Sequence, residues 1–304
     1  MHWNKPWFQF LILLLLAFIW GSSFILMKIG LKSFSSEQAA GIRILLASLV
    51  LLPYSIRNLK FLKKKDVKSL LIAGFIGSFI PAFLFTKAQT QIDSALAGML
   101  NSLTPIFTLA IGILLHKTKF KWLQVTGLVI GLIGALGLIT SGKELALGNV
   151  NSYALLIVLA TVFYGININE IKSKLSHLTG IQITSLAFFF TGPAALIYLA
   201  TTNFEPVLQS PNWPIHFLAL AALGIIGTAL AMLLMNSLIR YSSAIYASSV
   251  TYIIPVFAIF WGVIDGETIT ILHLTCMACI LLGVYLTNKK KKAEFAANLS
   301  GTRK

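Results

Sequence analysis

Several sets of residues in the chain have types and spacings that can carry chemistry. Cys276 and Cys279 form a C-x-x-C, the spacing of a dithiol redox motif. Residues 137–144, GLITSGKE, match a phosphate-binding loop up to the last position, where Glu144 stands in place of Ser or Thr. Trp20, Gly21, Ser22 and Ser23 interrupt an otherwise apolar run, and Tyr164, Gly165, Asn167, Asn169 and Glu170 interrupt another. Arg43 stands alone as a charge in a third. These groups point to redox chemistry, to phosphate binding and to recognition of a polar solute inside an apolar environment. The elements that hold them decide among the three.

Hydrophobic residues make up 57% of the 304 residues and charged ones only 11%, well outside the ordinary soluble range. The apolar residues come in blocks of about 20, the length at which a helix crosses a ~30 Å hydrocarbon core. Ten spans are expected, at 8–31, 37–56, 68–90, 94–115, 121–141, 152–173, 181–201, 216–239, 243–264 and 269–288. The first is expected to stay in the membrane, since no small-residue cleavage pattern closes it. This setting removes the first two chemistries. The two cysteines fall in mid-span, where thiols behave as small apolar residues. The phosphate-loop match follows a membrane helix rather than a β-strand, so its context fails. The spans also lack the Asp pair or Ser/His set of an intramembrane hydrolase.

The net charge of +15 is topological. With a cytoplasmic N-terminus, Lys28, Lys32, Lys87 and Lys143 face outward and Arg43 lies within a span; every other one of the 24 Lys and Arg residues faces inward. That bias follows the positive-inside rule and places both termini in the cytoplasm. Nucleic acid is therefore not an expected partner. The basic run 289–292 is suited to anionic lipid.

An internal repeat organises the chain. Gly74-Phe75-Ile76-Gly77 recurs as Gly224-Ile225-Ile226-Gly227, and Pro105-Ile106-Phe107 as Pro255-Val256-Phe257, both at an offset of 150. Earlier in each half the offset is 144, which matches Trp20 to Tyr164, Gly21 to Gly165 and Lys28 to Lys172. Each half then holds five helices. An odd number inverts the second half in the membrane, the 5+5 inverted-repeat architecture of secondary transporters with substrate near the midplane. The expected fold is an all-α integral membrane protein with units 1–148 and 149–288 and a basic cytoplasmic tail, 289–304.

The W-G-S-S-F of residues 20–24, Arg43 in the second span, and residues 219–267 with their G-x-x-G, small-residue turn, Pro-Val-Phe and terminal Gly-Glu resemble the drug/metabolite transporter superfamily, EamA type. The resemblance covers nearly the whole chain and is informative for family rather than substrate. It implies a cavity enclosed by helices one, three, four, six, eight and nine, with five and ten peripheral. One departure is Lys117, where the second half has Glu267, read as a helix-terminal structural residue.

Depth selects the site candidates. Trp20 and its mate Tyr164 lie at span centres rather than in the aromatic belts, either lining a cavity or packing; Ser23 and Asn167 lie beside them. Gly21 and Gly165 read as packing positions. Pro105 and Pro255 cannot donate a backbone N–H, so they free the carbonyls of Asn101 and Thr251 in mid-membrane. The prolines are hinge candidates; Asn101, Thr251, Thr104 and Tyr252 are substrate-contact candidates. Phe79 and Phe83 are assigned to apolar walls from helical position. Arg43, like Glu267, is read as a structural charge, an ion pair or hydrogen-bond anchor, with an anionic substrate group as the alternative contact. Glu170 has Lys174 at i+4. No acid lies at mid-span, which gives little support to a proton relay. The expected function is a secondary-type carrier, not an enzyme, that exports or exchanges small metabolites, amino acids or similar amphipathic solutes first, in a bacterial inner membrane. No cofactor or metal is expected; the expected partners are a small-molecule substrate and the lipid bilayer. A proton-coupled drug exporter is the alternative within transport, and a membrane-embedded enzyme or scaffold the alternative outside it.

Overall fold

The computed structural model describes residue 3 and residues 5–116, 122–140, 152–242, 246–247 and 249–288. The helices are α1 Pro6–Gly30, α2 Ser36–Phe61, α3 Lys64–Ala88, α4 Ser94–Leu114, α5 Trp122–Thr140, α6 Ser152–Lys174, α7 Gly180–Ala200, α8 Trp213–Tyr241, α9 Val250–Ile264 and α10 Ile271–Leu286. Among the described residues there is no strand. The first eight helices are long and apolar enough to cross a membrane; α9 and α10 are apolar but shorter. The expected limits hold to within a few residues where they fall on described residues; the expected start of span nine at residue 243 lies outside them, and a turn of 3-10 helix, Ser249–Tyr252, stands at the start of its continuous described part. Lys117, Lys119, Lys143, residues 141–144 of the phosphate-loop match and the tail 289–304 lie outside the described residues.

Local sequence explains where helices begin and what they face. α2 opens with a reciprocal capping box: Gln38 N donates to Ser35 Oγ at 3.1 Å and Ser35 N to Gln38 Oε1 at 3.0 Å. α7 opens the same way, with Thr179 and Gln182 at 3.2 and 2.8 Å. These positions are related by the offset of 144. Outward-facing side chains are large and apolar, among them Leu114, Trp122, Ile133, Ile197, Ile215, Leu218, Val263 and Ile271. A belt of that kind is stable against lipid and not against water, so the chain is a multi-pass membrane protein.

The largest helix contacts join the first five helices to the last five. α2 packs on α7, α4 on α9 and α5 on α10; α1 packs on α8 and α9, as α6 packs on α3 and α4. In the α5–α10 seam, glycines bring the backbones together: a Cβ added to Gly134 would lie 2.6 Å from the Cys276 carbonyl oxygen, and one added to Gly283 would lie 2.6 Å from Gly131 N. Cys276 and Cys279 are free thiols packed in this seam.

Candidate functional site

The two G-x-x-G segments fall in stretches of α3 and α8 where the backbone widens to a π-helix, Ile72–Phe79 and Ile225–Leu230. The sequence analysis did not foresee this widening, although it found the motif. In each half the two glycines bring the helix against two neighbours. A Cβ on Gly74 would lie 2.8 Å from the Ala187 carbonyl oxygen of α7, and one on Gly224 would lie 2.9 Å from that of Arg43 in α2. The second glycine repeats the scheme: Gly77 lies against the amide of Asn167 in α6, and Gly227 against the Ser23 hydroxyl of α1. All four contacts link repeat-equivalent positions, so small size at these sites is what lets α3 and α8 enter the centre of the molecule.

Widening a helix displaces carbonyls from their regular partners. Trp20 Nε1 donates to one of them, the Gly227 oxygen, at 3.0 Å, and Thr228 Oγ1 donates back to the Leu223 oxygen at 3.0 Å. The prolines free carbonyls in the same way, and each is met by a hydroxyl. Thr104 Oγ1 donates to the Asn101 oxygen at 2.8 Å, and Ser102 Oγ crosses from α4 to donate to the Thr251 oxygen at 3.0 Å. The second bond ties the two broken helices together. Ser102→Ala is expected to destabilise the fold by about 1 kcal/mol, the usual worth of one such bond. The check is the unfolding temperature in detergent, which should fall while Ser102→Thr keeps most of it.

Between these helices lies a cavity of about 100 Å³, lined by residues of α1, α2, α3, α4, α6, α8 and α9. That is room for several waters or a small solute group. Seven of the sequence candidates line it: Trp20, Ser23, Asn101, Thr104, Tyr164, Asn167 and Thr251. Phe79, Phe83 and Tyr252 stand outside it. The two phenylalanine rings lie 4.9 Å apart, tilted, and Phe83 continues to Tyr198 of α7, while Tyr252 donates to the Val284 carbonyl of α10 at 3.3 Å. Pro105 and Pro255 are also absent from the lining and act through the carbonyls they free.

The walls differ in chemistry. Tyr164 stacks on Phe85 at 6.0 Å, and Phe85 contacts Phe24 at 5.9 Å, which with Met27, Met232 and Met235 gives an apolar wall. The polar part of the lining includes Ser78, Asn167, Thr228 and Arg43. Arg43 Nε donates to Thr228 Oγ1 at 2.7 Å. The hydroxyl of Ser78 and Oδ1 of Asn167 are buried without a hydrogen-bond partner. Sequence reasoning missed Ser78, Phe85, Thr228 and the three methionines. Ser78 and Thr228 were readable, since each follows the second glycine of its G-x-x-G; the methionines carry no such signal.

Glu267 lies away from the cavity lining. Its carboxylate, only 2% exposed, accepts from the backbone N of Ser94 and Ala95, both at 2.9 Å, and so caps the start of α4. Lys28 joins it at 2.8 Å and Asp265 at 2.7 Å. At the other end, Glu170 accepts from Ser69 Oγ at 2.6 Å and makes no ion pair with Lys174; the side chain is drawn across to α3 instead of along its own helix. Ser22 serves packing, accepting from Trp261 Nε1 at 2.8 Å, and Asn169 clamps α6 to α4 through the Thr108 oxygen at 2.8 Å.

The chain matches the model of the EamA-like transporter family over residues 7–140 and again over 151–289. Among curated proteins it is similar to the "Uncharacterized inner membrane transporter YedA" of Escherichia coli K12, with 28% identity over 91% of this chain and 89% of that one. It is also similar to the "Uncharacterized transporter YetK" of Bacillus subtilis 168, with 24% identity over 90% and 84%. An "Uncharacterized transporter" of Archaeoglobus fulgidus is 24% identical over 94% of this chain and all of its own length. A solved structure described only as a crystal structure of protein shares the fold, with a TM-score of 0.63 over 93% of this chain and 97% of that chain at 15% identity.

Proposed function

Because the chain belongs to the EamA-like transporter family, we propose that it is a secondary-type carrier of small amphipathic metabolites, amino acids among them, working by alternating access in export or exchange. Ten spans cross the membrane as two inverted five-helix units, residues 1–148 and 149–288, with both termini cytoplasmic and 289–304 a cytoplasmic tail. The observation that carries this reading is the cavity, which the repeat-equivalent residues Trp20 and Tyr164, and Ser23 and Asn167, line together. A binding site on the axis relating two halves can be exposed to either side by rocking one half against the other. The matching of α1 on α8 and α9 with α6 on α3 and α4 supports the same view. Pro105 and Pro255, each at a break in its helix, are placed to absorb the change in backbone angle.

Two experiments test it. Purified protein in liposomes preloaded with an amino-acid mixture is expected to give saturable counterflow of labelled amino acids, and uptake no faster than in empty liposomes would sink the carrier reading for that class. Orientation is tested with single cysteines in a background lacking Cys276 and Cys279. Lys63→Cys is expected to react with an impermeant thiol reagent only from the cytoplasmic side and Asn212→Cys only from outside. Labelling of both from one side would remove the inverted arrangement.

A further inference from the structure

We infer that Arg43 is the recognition group for a carboxylate on the transported solute, so that this site selects apolar organic acids over otherwise identical amides and amines. The inference rests on the carrier reading for what happens after binding, but not for binding itself.

A guanidinium offers five N–H donors in a fixed fork. In Arg43 the described structure uses one, Nε, and among the described residues no carboxylate lies within ion-pair distance. The described lining of the cavity contains no Asp, Glu or His, so Arg43 is its one charged residue. An unneutralised cation inside a membrane protein is costly, and such groups persist at solute and ion pathways. The side chain is not released to the outer interface either. Thr228, held on the π-helical turn of α8 by its own bond to the Leu223 oxygen, ties Nε inward at 2.7 Å. The remaining Nη1/Nη2 edge of the fork can still match a carboxylate in bidentate fashion.

The repeat shows that the charge is not demanded by the architecture. The position equivalent to Arg43 is Ala187, and the position equivalent to Thr228 is Ser78. Gly74 packs on the Ala187 backbone just as Gly224 packs on that of Arg43, so helix packing is satisfied on both sides with or without a guanidinium. Where alanine replaces arginine, Ser78 Oγ is left buried with no partner. One half therefore brings a cation and the other brings unpartnered polar atoms, Ser78 Oγ and Asn167 Oδ1, to the same cavity. A solute carboxylate on Arg43 leaves its apolar body for Phe24, Phe85 and Met27. Asn167 Oδ1 is an acceptor that an amine or hydroxyl of the same solute can use.

The test uses four probes of one shape: leucine, 4-methyl-2-oxopentanoate, leucinamide and isopentylamine. Binding to the purified full-length protein is measured by calorimetry, and uptake in liposomes by counterflow. Leucine, 4-methyl-2-oxopentanoate or both are expected to bind at least tenfold more tightly than the amide and the amine, and Arg43→Gln is expected to erase that ratio. Binding of leucine alone identifies an amino acid held also through its amine, and binding of the oxo acid alone identifies a monoanion. Amide or amine binding as tight as that of the acids, unchanged acid binding in Arg43→Gln, or no binding of any probe at millimolar concentration overturns the inference. If Arg43→Gln does not fold, the selectivity of the natural protein still decides. Acid-selective binding without uptake keeps the inference and defeats the carrier reading, whereas saturable uptake of the amine does the reverse.

Discussion

Gly21→Leu is expected to remove the folded protein from the membrane almost completely, and Gly165→Leu to do the same. A Cβ at Gly21 meets Phe257 Cβ and lies 2.9 Å from the Ile254 oxygen and 3.3 Å from Ala258 N. At Gly165 it lies 2.9 Å from both the Phe107 carbonyl carbon and Thr108 N. Most of these neighbours are backbone atoms, which do not yield as a side-chain tip does. An extra methylene in a packed interior costs about 1–3 kcal/mol, and leucine adds four carbons, so the loss is of the order of the whole ~5–15 kcal/mol stability of a domain. The measurement is the yield of monodisperse protein by size-exclusion chromatography. Leu15→Ala, at a side chain of the same helix that is 44% exposed, is the control and is expected to leave the yield unchanged. A normal yield of both leucine variants would mean that α1 does not seat against α9, nor α6 against α4, through these glycines.

That result bears on how much of the molecule was legible before its structure. The helices were, because the apolar block length is a local signal. Their capping went unread, although Ser35 with Gln38 and Thr179 with Gln182 mark two starts from four residues of sequence each. The packing roles of Gly21 and Gly165 were legible because their spacing puts small residues at the repeat-equivalent place, and the recurrence of Gly74-x-x-Gly77 marked the second pair. What stayed hidden depends on side-chain direction. Phe79 and Phe83 occupy the right helix but pack on each other, with Phe83 against Tyr198, and no periodicity over so short a stretch distinguishes one face of a widened helix from another. Glu170 shows the same limit: its i+4 partner is a rule of isolated helices, and a buried neighbour on α3, Ser69, draws it elsewhere. Arg43 was visible as an anomaly of charge in lipid. Its inward direction required knowing that residue 228 lies opposite it, a separation of 185 residues along the chain.

Trp20→Ala and Tyr164→Ala are each expected to weaken solute binding by roughly tenfold or more, while both variants insert and remain monodisperse. The rings belong to opposite halves and line one cavity, so either truncation enlarges it and withdraws apolar surface from the bound solute. Loss of a large apolar contact is worth ~1–3 kcal/mol, and each 1.4 kcal/mol is a factor of ten in affinity. The two rings are nonetheless anchored differently, and conservative variants separate contact from support. Tyr164 is held by stacking on Phe85, so Tyr164→Phe retains that support and is expected to bind nearly as well as the natural protein. Trp20 holds the π-helical turn of α8 through the Gly227 oxygen, so Trp20→Phe keeps most of the ring but leaves that carbonyl without its donor. Its expected signature is a lower unfolding temperature with a smaller loss of affinity than Trp20→Ala. Equal affinity in the natural protein and in both alanine variants would reduce the two rings to packing. If instead Trp20→Phe lost as much binding as Trp20→Ala, the hydrogen bond that shapes α8, rather than the ring surface, would be what Trp20 contributes to the site.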